Sequence, residues 1–129
     1  MTNSIKKIIL ACLLTISAAS AFAEWTWVTK AENSISFYID YKTIRKDGNL
    51  RKVWVVEDFA ELSISGAKSS RYRNEYDCKA ETVRYASFGK FTKSMGEGEQ
   101  LASGGSDARW DDVPPGSIAE TILKIVCAK

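Results

Sequence analysis

Three carboxylate pairs, Glu57-Asp58, Glu97/Glu99 and Asp111-Asp112, are the side chains whose type and spacing come closest to acid–base chemistry. Such pairs cleave glycosidic bonds when one carboxyl donates a proton and the other attacks or activates water. Neighbours on a strand point to opposite faces, so Glu57 cannot share a site with Asp58, nor Asp111 with Asp112. Glu97 and Glu99 lie in a glycine turn. The sequence contains no histidine, which removes Ser-His-Asp and Cys-His nucleophilic sites, most zinc sites and the usual axial ligand of haem iron. Asp47-Gly48-Asn49 is too short for a calcium loop and fits a hairpin turn. No glycine-rich phosphate loop occurs. The expectation from these residues is a protein that is not an enzyme and uses no cofactor or metal.

Binding chemistry is better represented. Lys68, Arg71, Arg73, Lys79 and Arg84 fall on or beside two consecutive extended segments, interleaved with Tyr72, Tyr76 and Tyr85. Arginine and tyrosine are enriched at protein interfaces, so Lys68, Arg71, Tyr72, Arg73 and Arg84 form the candidate partner-binding face. The competing reading is a solvated sheet face on which the arginines pair with Glu75, Asp77 and Glu81. Trp25, Trp27, Trp54 and Trp110 are read first as core or edge packing, given the apolar area each one buries.

The elements that position these side chains begin after an export signal. Lys6 and Lys7 precede an apolar run from Ile8 to Ala19, and Ala21-Phe22-Ala23 supplies small residues for cleavage before Glu24,. The run is about a dozen residues, short of the ~20 that span a bilayer, and no later segment is apolar enough to span. A rival reading is the lipid-attachment box suggested by Ile9-Leu10-Ala11-Cys12, although the apolar run continues well past Cys12. Residues 1–23 are expected to be a signal peptide and residues 24–129 a single exported domain. Their separation removes Lys6 and Lys7 and no acid, leaving 16 basic and 16 acidic side chains in 106 residues. That balance gives no support for nucleic-acid binding, which needs a basic stripe or patch.

Cys12 leaves with the signal, and Cys78 and Cys127 remain as an even pair in an oxidising compartment, where a disulfide is the simplest outcome. The alternative is a reactive thiol, which needs a neighbouring base or an electropositive pocket.

Period-two patterning dominates the rest. Trp25 to Val28, Ser34 to Asp40, Leu50 to Phe59, Ser69 to Cys78, Glu81 to Phe91 and Gln100 to Ser103 read as strands. Leu50 to Phe59 is expected to be the most buried. In the Ser69 to Cys78 segment, Tyr72, Asn74, Tyr76 and Cys78 alternate with Arg71, Arg73, Glu75 and Asp77, as in an antiparallel strand buried on one side. Gly104-Gly105-Ser106 ends the strands. Ser117-Ile118-Ala119-Glu120 has capping-box spacing after Pro114-Pro115-Gly116, so a helix starts there. In the box, Ser117 accepts from the N–H of Glu120 while the Glu120 carboxylate reaches back to the N–H of Ser117. Ile118, Ile122, Ile125 and Val126 make the apolar stripe of that helix, and a Cys78–Cys127 bond pins it to the sheet.

Trp25, Tyr38-Ile39-Asp40, Thr43-Ile44, Val53-Trp54-Val55, Ser69-Ser70, Asp77-Cys78 and the tail Trp110-Asp111-Asp112-Val113-Pro114-Pro115-Gly116-Ser117 leading to Cys127 together resemble the surface-adhesin protein E family of Gram-negative bacteria. The resemblance covers nearly all of residues 25–127. It implies an α+β, mainly β fold: an antiparallel sheet of about six strands with one C-terminal helix fixed across it by the cysteine bond. It also implies adhesion to host matrix, the family's named member being a host-matrix adhesin associated with vitronectin, laminin and plasminogen, and also with haem. The expected function is therefore an exported non-enzymatic binding protein, an adhesin-like domain that docks host extracellular-matrix or other proteins. The alternatives are a periplasmic accessory or stress-related protein without a host ligand, and a haem or other small-molecule binder using tyrosine. The expected location is the cell surface, outer membrane or periplasm. An exposed strand edge offers a route to a homodimer.

Overall fold

The computed structural model of the chain describes residues 23–105 and 109–128. The expected signal peptide, with Cys12, lies outside the described residues apart from Ala23, and so does Ser106. Among the described residues the eight strands are β1 Thr26–Lys30, β2 Ile35–Ile39, β3 Arg45–Asp47, β4 Leu50–Phe59, β5 Ser69–Asp77, β6 Thr82–Phe91, β7 Gln100–Gly104 and β8 Asp111–Asp112; a helix, α1, spans Ile118–Cys127. All pairings are antiparallel in one sheet ordered β1-β2-β4-β5-β6-β7, with β3 added to β4 and β8 to β6.

The six expected strands form this path, and the two additions fill its gaps. β4 is ten residues long while β2 covers only its second half, from Val55 to Phe59; β3 pairs with the first three, from Leu50 to Lys52. A single 3-10 turn at Tyr41–Thr43 carries the chain from β2 into β3, capped by Asp40, whose carboxylate accepts from the N–H of Lys42. At the other side, β7 pairs with the end of β6 and β8 with Thr82 and Val83 at its start. The hairpin between β3 and β4 turns at Gly48, whose φ of 55° favours glycine,.

Alternation sorts the residues onto two faces. Ile39, Val53, Val55, Tyr76 and Val83 point to one side, and Ile122, Leu123 and Val126 of α1 close over them as a single buried cluster. Each such helix side chain contributes about 1.5–3 kcal/mol relative to an exposed position. α1 begins as expected at Ser117, whose hydroxyl accepts from the N–H of Glu120 at 3.1 Å. The return arm of the box is displaced by one residue: the Glu120 carboxylate accepts from the N–H of Gly116 at 3.3 Å, because the N–H of Ser117 is already turned to the carbonyl of Pro114. Cys78 and Cys127 are bonded, with a Cα separation of 5.7 Å, so the last turn of α1 is tied to the residue that follows β5.

Burial departs from expectation in one respect. β4 buries Arg51 and three valines, whereas β5 buries Ser69, Ser70, Asn74, Glu75 and Tyr76. The more buried strand is thus the central β5, and most of what it buries is polar.

Candidate functional site

The face of the sheet opposite α1 is built from alternate residues of β4, β5 and β6. Trp54 pairs with Arg73, Val56 with Arg71 and Lys52 with Glu75; Glu75 in turn pairs with Arg84 of β6. These cross-strand neighbours stand about 5 Å apart, so large side chains must stack. The Arg71 guanidinium lies 5.5 Å from the ring centre of Trp54 and 4.9 Å from that of Phe91. That of Arg84 lies 4.5 Å from the ring of Trp110. Contacts of this kind contribute about 0.5–2 kcal/mol, the larger values where water is excluded.

The charges on this face are unevenly matched. Glu75 is only 3% exposed; it accepts from Arg84 Nε at 2.7 Å and forms ion pairs with the same guanidinium and with Lys52 at 3.7 Å. Arg71 is held by rings, and Arg73 has no ion pair among the described residues. Two shallow depressions flank these arginines. One, of about 310 Å³, is lined by Trp25, Asp40, Thr43, Trp54 and Arg71. The other, of about 350 Å³, is lined by Arg45, Asp47, Leu50, Lys52, Arg73 and Glu75.

A turn at Ser94–Gly96 closes one end of the face. The N–H of Met95 donates to Asp58 at 3.0 Å and that of Gly96 to the Ser69 hydroxyl at 2.9 Å, which itself donates to the carbonyl of Lys93 at 2.6 Å. This turn packs against Asp58, Ser69 and the side chain of Arg71, while Trp54, Arg73 and Arg84 remain partly exposed.

Of the five residues expected to share a partner-binding face, the structure brings together Arg71, Arg73 and Arg84. Lys68 precedes β5 and its ammonium donates to the carbonyl of Phe59. Tyr72 points to the helix side, where its hydroxyl donates to Glu57 at 2.9 Å; strand alternation already separates it from Arg71 and Arg73. Tyr76 is in the core, and Tyr72 and Tyr85 pack with ring centres 6.2 Å apart. Trp54 and Trp110 are stacking partners of arginine on the outer face, not core residues, and Trp27 is 57% exposed.

Sequence reading missed the setting of Glu57. It stands in phase with Val53, Val55 and Phe59, a carboxylate flanked by apolar residues on the helix-side face of β4, and that phase is the available signal,. Burial pushes its carboxyl above the usual carboxylate range, opposed by the hydrogen bond from Tyr72 and by Lys90. Burial likewise pushes up Tyr72, Tyr76 and Tyr85, the charge of Glu57 adding to the effect at Tyr72 and Tyr85. Asp58, the next residue, faces the opposite side, so the pair cannot act as two acids in one site. Among the described residues no cluster of histidine, cysteine or carboxylates could hold a metal ion, and no helix is long and apolar enough to cross a membrane.

Comparison with known proteins agrees with this architecture. Crystal form II of Haemophilus influenzae protein E superposes with a TM-score of 0.64 at 16% identity, over 84% of this chain and 91% of that one. The selenomethionine form of the same protein gives 0.61 at 15% identity, over 79% and 85%. At these identities the likeness shows the fold. No curated protein sequence matches the chain. The family model for surface-adhesin protein E matches residues 25–128, and the chain belongs to that family.

Proposed function

We propose that the protein is an exported, non-enzymatic adhesin that docks an acidic region of a partner protein, of the host extracellular-matrix class, on the outer sheet face. The observation that supports this reading is the placement of Arg71 and Arg73 around Trp54 on a face that α1 leaves open. Arg71 is already immobilised between two rings, so it forms a carboxylate contact with little further loss of side-chain entropy. Arg73, without an acidic partner of its own, offers a fork for bidentate pairing. Arg84 is committed to the buried Glu75 and supports the face without being free to dock. Arginine and tryptophan are the residue types that dominate interface energies, and truncating one such anchor costs about 2 kcal/mol or more.

Arg73→Glu is the discriminating variant, because it reverses the charge without removing the partner of a buried group. Against immobilised matrix glycoproteins, the wild-type protein is expected to bind with an affinity that falls as salt rises, and the folded variant at least tenfold more weakly. Equal affinity of the two would overturn the docking face.

A further inference from the structure

The helix side of the sheet contains a cavity of about 130 Å³ beneath the first turns of α1, whose walls include Glu57, Tyr72, Asn74 and Tyr85 from the sheet and Ile118 and Ile122 from the helix. That volume is close to the roughly 150 Å³ of an engineered protein cavity that takes up benzene, and so has room for about six non-hydrogen atoms. Tyr85, 45% exposed, is its most open wall. The outer docking face lies on the other side of the sheet and shares no residue with it.

The polar groups in this cavity are matched to a donor. The Glu57 carboxylate receives one hydrogen bond, from Tyr72, and enters no ion pair, although an ionised carboxylate has about four acceptor positions. Asn74 is 6% exposed; its Nδ2 donates to the Tyr76 hydroxyl at 3.4 Å, while its Oδ1 has no partner. A buried acceptor left without a donor is costly, and native proteins supply one from protein, water or ligand. No lysine or arginine lines the cavity. Tyr72 and Tyr85, tilted 57° to one another, add aromatic faces that favour a cation.

We propose that this cavity binds a small organic cation, a primary alkylammonium of about four to six non-hydrogen atoms. Its ammonium group would donate to Glu57 and to Oδ1 of Asn74, and its hydrocarbon stem would lie along Val55, Ile118 and Ile122. The apolar end of the cavity disfavours a second charge, so monoamines are preferred to diamines. Anions are excluded by Glu57, and neutral alcohols cannot supply both the charge and three donors.

The test is a titration of the purified protein with n-butylammonium chloride, followed by nuclear magnetic resonance of the Asn74 side-chain amide and the first-turn amides of α1. n-Butanol and sodium butyrate at matched ionic strength serve as the neutral and anionic controls. The expected result is a saturable shift confined to these groups with butylammonium, at least tenfold weaker with butanol and absent with butyrate. Glu57→Gln, which keeps the shape and removes the charge, should weaken butylammonium binding at least tenfold. Should that variant not fold, Tyr85→Ala decides: opening the cavity wall should weaken binding by a similar factor, and undiminished binding would count against the site. An equal response to butanol would show a merely apolar cavity, and no saturable shift with any probe would show a water-filled one. Either result, or full binding by Glu57→Gln, would overturn the proposal.

Discussion

Glu57 is a buried carboxyl whose ionisation should leave a mark on folding. Burial raises its pKa above the ordinary value of 4.5, so the folded state holds this proton more tightly than the unfolded chain does. The stability it contributes is therefore complete below about pH 4.5 and is lost as pH rises through the elevated folded pKa. The groups facing it are Tyr72 and Tyr85, both pushed upward and neutral in this range, and Lys90. Glu57→Gln should accordingly gain on the wild type in urea unfolding as pH rises from 4 to 8; a constant or shrinking margin would mean that the anion is stabilised in place. Glu75 is a buried carboxylate held by the partly exposed side chains of Arg84 and Lys52. Arg84→Ala leaves it with only Lys52 at 3.7 Å, and should cost about 2–3 kcal/mol, below the cost of fully orphaning a buried charge because Arg84 is partly exposed. A loss under about 0.5 kcal/mol in chemical unfolding would show that solvent compensates Glu75.

The helix and its attachment are the elements most dependent on a few residues. The Cys78–Cys127 bond spans 49 positions, for which the chain-entropy account gives about 4 kcal/mol. Cys127→Ser, or reduction of the wild type, should thus lower Tm by roughly 15–30 °C; an unchanged transition would contradict this. Ser117→Ala removes the N-cap acceptor and should cost about 1 kcal/mol, read in the same unfolding experiment as a parallel shift of the midpoint. Both features were legible from sequence because capping and cysteine parity are local or countable signals. β3 and β8 were not, since Arg45–Asp47 and Asp111–Asp112 are too short to show a period and are ordered by the unpaired lengths of β4 and β6 they meet. The candidate site was half legible. Arg71, Arg73 and Arg84 could be grouped by alternation, but β6 carries a bulge opposite Arg73 and Asn74, and the stacking of Arg84 on Trp110 depends on the β8 connection. No spacing in the chain encodes either.

At the scale of the molecule, the sheet separates two chemistries. One face is covered by α1, tied down by the disulfide, over a small acceptor-lined cavity; the other carries stacked arginines and two shallow depressions. The disulfide fixes α1 on its own side of the sheet, while the outer face carries the Ser94–Gly96 turn and the Trp110 ring stacked on Arg84, and presents Trp54, Arg71 and Arg73 beside them. Such a face serves an adhesin only if it is displayed outside the cell. Protease shaving of intact cells, with a periplasmic protein as the control that must stay protected, tests this directly. Loss of the domain from intact cells is the expected result; protection until the outer membrane is permeabilised would contradict surface adhesion and place the protein among envelope partners in the periplasm.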